Sequence, residues 1–380
     1  MRIMNCMLFL VWLFCGNLLA QPLTTGVFTG ELDHLVECAG DNIDQITEAL
    51  DMLEPEKQRA LMFLLKYMSE SDLAQVKSEL LVHHIEYSFQ AYKTLPWGKS
   101  IPDDIFYHYV LPMRVSQEPL EDWRGFFYDM LYDSVKGLSM TDAALKVNEI
   151  CAHYVRFKQT QRRDQGVFET LKSGYGRCEE MMIFYVSALR SVCIPAREAW
   201  TPYWSRCDNN HAWTEVWIND RWYYTGACEP RPKLNDAWFS KTVKWAPVVL
   251  ASAYGKITES DEIIYKTKDQ YTIINSTPTY TDPSYLLVNV EGMDSASVYV
   301  YVFNFGAIRP ILYRVARQDS TVRFVMGKGE FVVSAGKDDM ADFARVTLTP
   351  GDTVSLTLVP EKSPKVPEKF WLRYDEQGEK

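Results

Sequence analysis

The sequence predicts an α+β protein in three parts: a helical N-terminal region, a mixed core and a C-terminal β-sandwich with an immunoglobulin-like (Ig-like) arrangement. Three patterns support this prediction. From Asp44 to about Lys172, apolar residues recur every three or four positions, as on a buried helix face. After Pro195 they alternate as in strands. After Tyr254, seven short alternating runs are separated by Gly and Pro turns, which is typical of a β-sandwich.

The composition favours a folded, globular chain. Of its 380 residues, 47% are apolar and 24% are charged, both ordinary values for a globular protein. The length is sufficient for two or three domains. There are 40 basic and 50 acidic residues, which gives a net charge of −10. Because nucleic-acid-binding proteins usually carry a basic patch or stripe, we expect no nucleic-acid partner.

The first twenty residues (1–20) have the pattern of a secretory signal peptide. Arg2 is followed by the apolar run Met7–Phe14, which is shorter than the ~20 residues that a membrane span needs. We expect cleavage after Ala20, a secreted or periplasmic protein, and no membrane span. Cys15 follows the bulky Phe14 rather than a small residue, so lipoprotein anchoring is not expected.

The N-terminal helical region is predicted to occupy residues 21–100. Ser69–Asp72 predicts the end of one helix and the cap of the next, which would cover Leu73–Tyr92. Leu95–Gly98 should break that helix. The core is predicted at 101–253. In it, Pro102–Asp104 should begin a new helix, and Thr141–Asp142 should cap another that runs through Tyr154.

Within the core, the sequence changes character at the loop Gly174–Gly176. A helix is predicted from Cys178 to Val192, and a hairpin from the strands Thr214–Ile218 and Arg221–Tyr224. The sandwich is predicted at 254–360 and a loosely attached, charged tail at 361–380. The seven predicted strands of the sandwich are Leu286–Val290, Val298–Phe303, Ile311–Val315, Val322–Val325, Phe331–Val333, Val346–Leu348 and Val354–Leu358.

A candidate catalytic cysteine, Cys178, lies where a glycine-containing loop enters a helix. The N–H groups and dipole of a helix N-terminus favour negative charge, so they can lower a thiol pKa and hold an oxyanion. Gly176 leaves room for a substrate backbone. His211, at the start of a predicted strand, is the only histidine after residue 153 and therefore the only downstream base. The pattern favours nucleophilic catalysis by Cys178 with His211 as base.

Three sequence blocks carry a family resemblance: Gly-Arg-Cys at 176–178, Arg-Ser-Val-Cys-Ile-Pro-Ala-Arg at 190–197, and His-Ala-Trp-Thr-Glu-Val-Trp at 211–217. In this order and spacing they resemble the transglutaminase-like superfamily. That papain-like group includes transglutaminases, peptide N-glycanases and many bacterial proteins assigned as proteases. The resemblance implies a papain/transglutaminase-like α+β core, with Cys178 as nucleophile and His211 as general base.

The third member of the expected triad departs from the family pattern. The superfamily places an Asp about four residues after the Trp that matches Trp222, and this chain has Gly226 there. The nearest acid is Glu229, which could orient the imidazole if the backbone bends at Gly226. The alternatives are that no acid takes this role or that Asp236 does.

Other residues near the motifs have less defined roles. Trp213, Gly176 and Trp204 are expected to contact substrate, although the tryptophans could equally be core residues. Glu179 and Glu180 are interpreted as solvated or as partners of Arg197.

The cysteine pattern argues against structural metal. Outside the first twenty residues, the chain has Cys38, Cys151, Cys178, Cys193, Cys207 and Cys228. Without a CxxC pair, structural zinc is not expected, and no metal or cofactor is predicted. A Cys207–Cys228 disulfide and two free thiols are both open.

The predicted function is a secreted thiol enzyme that acts on amide bonds through a Cys thioester, with a peptide, protein or glycopeptide as substrate. One alternative is an amine-transferring protein crosslinker. A second is a catalytically degenerate fold that binds glycan or peptide. The absence of the family's Asp at Gly226 favours this alternative. In a third, the sandwich is the functional part and the core its scaffold. The natural substrate and the oligomeric state stay open at this stage.

Overall fold

A computed structural model of the protein describes residues 34–161, 163–257, 263–267, 270–318 and 320–362. The predicted signal peptide and most of the predicted tail lie outside these residues. The α+β class is confirmed, because helices fill the first half of the described chain and strands the second.

The helices precede most of the strands in the chain, and residues 34–39 are also helical. The named helices are α1 (Ile43–Met52), α2 (Pro55–Tyr67), α3 (Glu70–Leu73), α4 (Ser78–Thr94), α5 (Asp103–Tyr109), α6 (Trp123–Val135), α7 (Met140–Tyr154), α8 (Val167–Ser173) and α9 (Cys178–Ser191).

Two helix starts differ from the sequence prediction. Helix α4 begins at Ser78 rather than Leu73, because the side-chain amide of Asn42 donates to the carbonyls of Leu73 and Val76 at 2.9 and 2.8 Å. Those carbonyls, at the end of α3 and in the turn after it, are thereby satisfied by a side chain instead of by a continuing helix. Helix α7 is capped by Ser139, whose hydroxyl accepts from the N–H of Asp142, rather than by the predicted Thr141–Asp142.

Helix α9 lies at the centre of the first hydrophobic core. Every residue from Glu180 to Ser191 is buried, against α6, α7 and two strands of the main sheet. The N-terminal helices contribute to this same core, which reaches from Leu35 to Tyr254. The buried Arg124 of α6 ties the two regions together, since its guanidinium donates to the ring of His84 in α4 at 3.2 Å and to the carbonyl of Arg190 in α9 at 2.7 Å.

The main sheet is six-stranded and antiparallel, in the order β5-β4-β3-β6-β8-β7. The strands are β3 (Ala196–Thr201), β4 (His211–Ile218), β5 (Arg221–Thr225), β6 (Leu250–Tyr254), β7 (Ile263–Thr267) and β8 (Tyr271–Asn275); a short parallel pair, β1 (Arg156–Phe157) and β2 (Tyr175–Gly176), lies before them. The β4–β5 hairpin turns at Asn219 and Asp220 as predicted, with both φ angles positive. Strands β7 and β8 extend this sheet beyond residue 253, where the sequence places the end of the core.

The C-terminal region forms two further sheets, of four and three strands, in the orders β11-β10-β13-β14 and β12-β9-β15. The strands are β9 (Ser284–Val290), β10 (Ser295–Asn304), β11 (Ala307–Arg317), β12 (Thr321–Met326), β13 (Gly329–Lys337), β14 (Met340–Leu348) and β15 (Thr353–Leu358). Each of the seven predicted runs lies in one of them. Their inward residues share one hydrophobic core. The Ig-like arrangement stays a prediction, and β15 pairs with β9 in parallel.

A buried ion pair joins β3 to β4. The side chains of Arg197 and Glu215 are only 4% and 0% exposed, face each other in register, and approach to 2.6 Å. The Arg197 guanidinium also stacks 3.8 Å above the ring of Trp222. Glu215 Oε1 accepts hydrogen bonds from the hydroxyls of Ser276 and Tyr280. Both charges are therefore compensated inside the protein, which holds the strand that carries His211 in place.

Replacing Arg197 by Met should destabilise the protein by about 3–5 kcal/mol, because the Glu215 charge would stay buried without its partner. The free energy of unfolding in urea measures this loss. The matched control is Arg345→Met, which breaks an ion pair with Glu330 that is 41% and 43% exposed. We expect that control to cost less than about 1 kcal/mol. Equal losses in the two variants would contradict the role of the buried pair.

Candidate functional site

Cys178 is the first residue of α9, and the turn before it is tightly built. The Glu180 carboxylate accepts from the N–H of Arg177 at 2.6 Å, which caps the start of the helix, and also binds the Arg177 guanidinium at 2.5 Å. A Cβ at Gly176 would lie 2.9 Å from Glu180 Cβ, so a side chain does not fit there. Gly176 therefore permits the approach of the loop to the helix, while its predicted contact with substrate stays a prediction.

The Cys178 thiol lies between a carboxylate and two backbone donors. It donates to Glu179 Oε2 at 3.2 Å, and the backbone N–H groups of Ala212 and Glu179 are close enough to the sulfur to favour its thiolate. Burial, followed by the negative charge of Glu179, raises the thiol pKa to about 12. The sequence predicts the opposite direction from the helix N-terminus. That expectation is wrong here, because desolvation and the carboxylate outweigh the backbone donors.

His211, the first residue of β4, has its imidazole inside an aromatic cage. The ring centroids of Trp238, Phe239, Trp213 and Trp204 lie 4.8, 4.9, 5.7 and 6.4 Å from that of His211. Burial lowers the imidazole pKa to about 4. The buried Nε2 atom has no hydrogen-bond partner among the described residues. The imidazole is therefore neutral at pH 7 and able to accept a proton.

The two tryptophans predicted to bind substrate form the inner wall of this cage. Trp204 and Trp213 are 3% and 0% exposed, and their rings are nearly parallel, 6.3 Å apart. Trp213 also donates its indole N–H to the hydroxyl of Tyr280 at 2.8 Å. Both side chains pack behind the imidazole of His211, and their predicted contact with substrate stays a prediction.

The cage residue that faces solvent is Trp238, which is 54% exposed. Sequence reasoning missed it, because it belongs to no strand or helix and to none of the three motif blocks. The only available signal was the apolar trio Ala237–Phe239 within an otherwise polar segment.

Glu229 reaches His211 through Trp238. Its Oε2 accepts from the Trp238 indole N–H at 3.0 Å, and the same indole contacts the imidazole. A Cβ at Gly226 would lie 2.5 Å from Glu229 Oε2, so this carboxylate fills the space next to Gly226. Burial raises the pKa of Glu229, and the Trp238 hydrogen bond opposes that shift. The role of Glu229 as orienting residue stays a prediction.

The backbone bends after Gly226, as a role for Glu229 requires. The side-chain amide of Asn148 in α7 donates to the carbonyl of Gly226 at 2.7 Å, and its oxygen accepts from the N–H of Glu229 at 3.0 Å. One buried side chain thus holds both ends of the turn.

The two glutamates after the nucleophile do not pair with Arg197, so the predicted pairing is wrong; Glu179 is partly exposed and Glu180 is buried. Glu180 binds Arg177, and Arg197 binds Glu215. Glu179 Oε1 accepts from the side-chain amide of Asn210 at 3.4 Å, while its Oε2 holds the thiol. Glu179 therefore connects the start of α9 to the residue before His211.

Two further observations concern the described part of the chain. There, no three His, Cys, Asp or Glu side chains are grouped so that they could hold a metal ion. None of the helices in the same ranges combines the length and the apolar character that a membrane crossing requires.

Comparison with known proteins confirms the resemblance. Residues 131–227 match the family model of the transglutaminase-like superfamily. This range includes Cys178 and His211, so the chain contains a transglutaminase-like core, and the match ends two residues before Glu229.

Two solved structures are similar to this chain. A candidate cysteine protease from Cytophaga hutchinsonii is 17% identical with a TM-score of 0.30, over 50% of this chain and 68% of that one. A transglutaminase from red sea bream is 8% identical with a TM-score of 0.28; the match covers 70% of this chain but only 59% of that transglutaminase. No curated protein matches the sequence.

Glu179→Gln should lower the pKa of Cys178 by about 1–2 units, because a neutral amide replaces the carboxylate that opposes the thiolate. Since the wild-type pKa lies above the ordinary thiol value, the alkylation midpoint should move toward neutral pH. The alkylation midpoint is measured from the rates of iodoacetamide labelling at Cys178, which mass spectrometry follows from neutral to alkaline pH. The control Glu169→Gln removes an exposed carboxylate paired with Arg163 and should leave the midpoint unchanged. An unchanged midpoint in Glu179→Gln would reject this role of Glu179.

Proposed function

We propose that the protein is a secreted thiol enzyme that cleaves peptide or protein amide bonds by acyl transfer to Cys178. One observation carries the proposal. Glu179, directly after Cys178, accepts a hydrogen bond at 3.4 Å from the side-chain amide of Asn210, directly before His211, although 33 positions (211 − 178) separate Cys178 from His211 in sequence. This contact and the buried, unpartnered ring nitrogen of His211 support a nucleophile and a base on adjoining elements.

The proposed reaction has two halves. As Cys178 sulfur attacks the carbonyl carbon, the neutral imidazole of His211 takes the thiol proton and the C–S bond forms. The carbonyl oxygen becomes an oxyanion, for which the backbone N–H of Cys178 is a donor. The imidazolium then gives its proton to the leaving amine, the C–N bond breaks, and a thioester remains. Water, deprotonated by His211, then attacks the thioester carbonyl, the C–S bond breaks, the acid leaves, and the imidazolium returns its proton to the Cys178 sulfur.

The resting charge state favours general-base catalysis over a preformed ion pair. With a thiol pKa of about 12 and an imidazole pKa of about 4, both groups are neutral at pH 7. The proton therefore moves only as the sulfur attacks. An acyl group that enters between the thiol and Glu179 would break the hydrogen bond that stabilises the protonated form.

The cage around His211 suits the transient imidazolium. Aromatic faces attract a cation, so the rings of Trp238 and Phe239 stabilise the protonated imidazole relative to an aliphatic pocket. Glu229 adds a negative charge behind Trp238. In this proposal Glu229 is a positioning residue, because it acts through the indole and does not touch the reacting atoms.

The second candidate is a binding module that keeps the fold without turnover. Gly226, in place of the acid of the family pattern, and the raised pKa of Cys178 favour it. The amine-transferring crosslinker differs from the hydrolase only in the acceptor of the thioester.

Cys178→Ala should reduce turnover of peptide p-nitroanilides by at least about 10³-fold, since no thioester can form. The matched control is Cys207→Ser, an exposed cysteine, which should retain wild-type rates. Product masses, measured with and without an added primary amine, separate hydrolysis from amine transfer. Wild-type turnover in Cys178→Ala would reject the enzyme, and ligand binding without any turnover in the wild type would favour the binding module.

Glu229→Gln should reduce kcat by about tenfold or more, because the carboxylate behind the imidazolium is lost. Placing an acid three residues earlier, at position 226 as in the family pattern, should recover part of this loss. The double variant Gly226→Asp with Glu229→Ala does so, and it also removes the Glu229 side chain that would clash with a Cβ at position 226. A loss well under tenfold in Glu229→Gln would reject the role of Glu229.

A further inference from the structure

Two buried cysteines meet behind the candidate site. Cys151 on α7 and Cys228 in the turn after β5 are 2% and 6% exposed. Cys228 Sγ donates to the carbonyl of Met181 at 3.6 Å, and the Cys151 sulfur is close enough for its charge to help raise the pKa of the Cys228 thiol. The hydroxyl of Tyr185 is close enough to both sulfurs for their charge to affect it.

The backbones on both sides are already fixed at this contact. Asn148 stands three residues before Cys151, on the same face of α7. It binds the carbonyl of Gly226 and the N–H of Glu229, which flank Cys228. Cys228 itself has φ 54°, a conformation that non-glycine residues rarely adopt. The turn thus holds the Cys228 sulfur against α7 with little freedom to move away.

Cys151 and Cys228 lie on either side of the candidate nucleophile and base in the sequence. The segment between Cys151 and Cys228 contains both Cys178 and His211, and Glu229 follows immediately. A covalent bond between these two sulfurs would close a loop of chain that contains Cys178 and His211. One end of that bond, Cys228, is the residue directly before Glu229.

We infer that Cys151 and Cys228 form a disulfide that fixes the turn carrying Glu229. Each thiol gives up a proton, and the two electrons pass to a disulfide oxidant, either a small-molecule disulfide or a protein dithiol–disulfide catalyst. The oxidant's S–S bond breaks through a mixed disulfide with one cysteine, and attack by the second cysteine releases the reduced oxidant. Cys151, Cys207 and Cys228 are free thiols in the structure, and the proposal joins Cys228 to the buried Cys151 rather than to the exposed Cys207, the partner considered from sequence.

Burial governs when the bond can form. It raises the pKa of the Cys228 thiol, and only thiolates exchange at useful rates. We therefore expect the disulfide to form during folding, and to resist small reductants in the native protein.

The experiment uses the full chain with Cys178→Ala, so that the nucleophile takes no part in exchange. The protein is refolded in oxidised and reduced glutathione, remaining thiols are blocked with N-ethylmaleimide, and digests are searched for the peptide that links residues 151 and 228. We expect that link only after oxidative refolding, with a melting temperature roughly 5–15 °C above the reduced form.

Three variants complete the test. In the same background, Cys207→Ser should keep the link and the thermal shift, whereas Cys151→Ala and Cys228→Ala should each lose both. Free thiols at positions 151 and 228 after oxidative refolding, or a link from either to another cysteine, would overturn the inference. The link does not depend on the proposed function, because it is measured without turnover. The effect of the disulfide on catalysis does depend on the proposed function, and it is measured as a lower kcat in Cys228→Ala with Cys178 intact.

Discussion

The structure depends on the complete burial of helix α9. This helix packs against three neighbours at once: α6, α7 and the strands β3 and β4. This packing fixes its N-terminus, and with it Cys178, beside the first residues of β4. The Arg197–Glu215 pair fixes the register of β4 from the other face. The site is therefore a consequence of core packing, and its residues need no separate device to bring them together.

Desolvation sets the chemistry of the site. The same packing that places Cys178 and His211 near each other also removes water from both, which raises one pKa and lowers the other. The resting pair is neutral, and Glu179 strengthens that state by accepting the thiol proton in a hydrogen bond. In the proposed reaction, the thiol and the imidazole therefore stay neutral until polar groups of a bound substrate take the place of the missing water. Relative to an aliphatic pocket, the aromatic cage and the Trp238–Glu229 contact then stabilise the protonated base in the proposed reaction.

Much of this could be predicted from sequence where local pattern and chain geometry decide the outcome. The seven C-terminal strands, the helix after Gly176 and the hairpin at Asn219–Asp220 follow from periodicity and turn residues. The sign of the Cys178 pKa shift could not be predicted, because it depends on burial by distant residues. Trp238 was missed for the same reason: its role arises from a contact with His211 that no local pattern encodes.

The central claim is that Cys178 is an acylated nucleophile. The most direct measurement is an acid quench of the protein during reaction with peptide p-nitrophenyl esters, whose activated carbonyl acylates thiols irrespective of side-chain preference. Mass spectrometry then locates the acyl group, and hydroxylamine tests for a thioester. We expect a hydroxylamine-sensitive adduct on Cys178 that disappears in His211→Ala. Acylation confined to other residues, or an adduct at Cys178 that does not depend on His211, would reject the role of Cys178 as nucleophile.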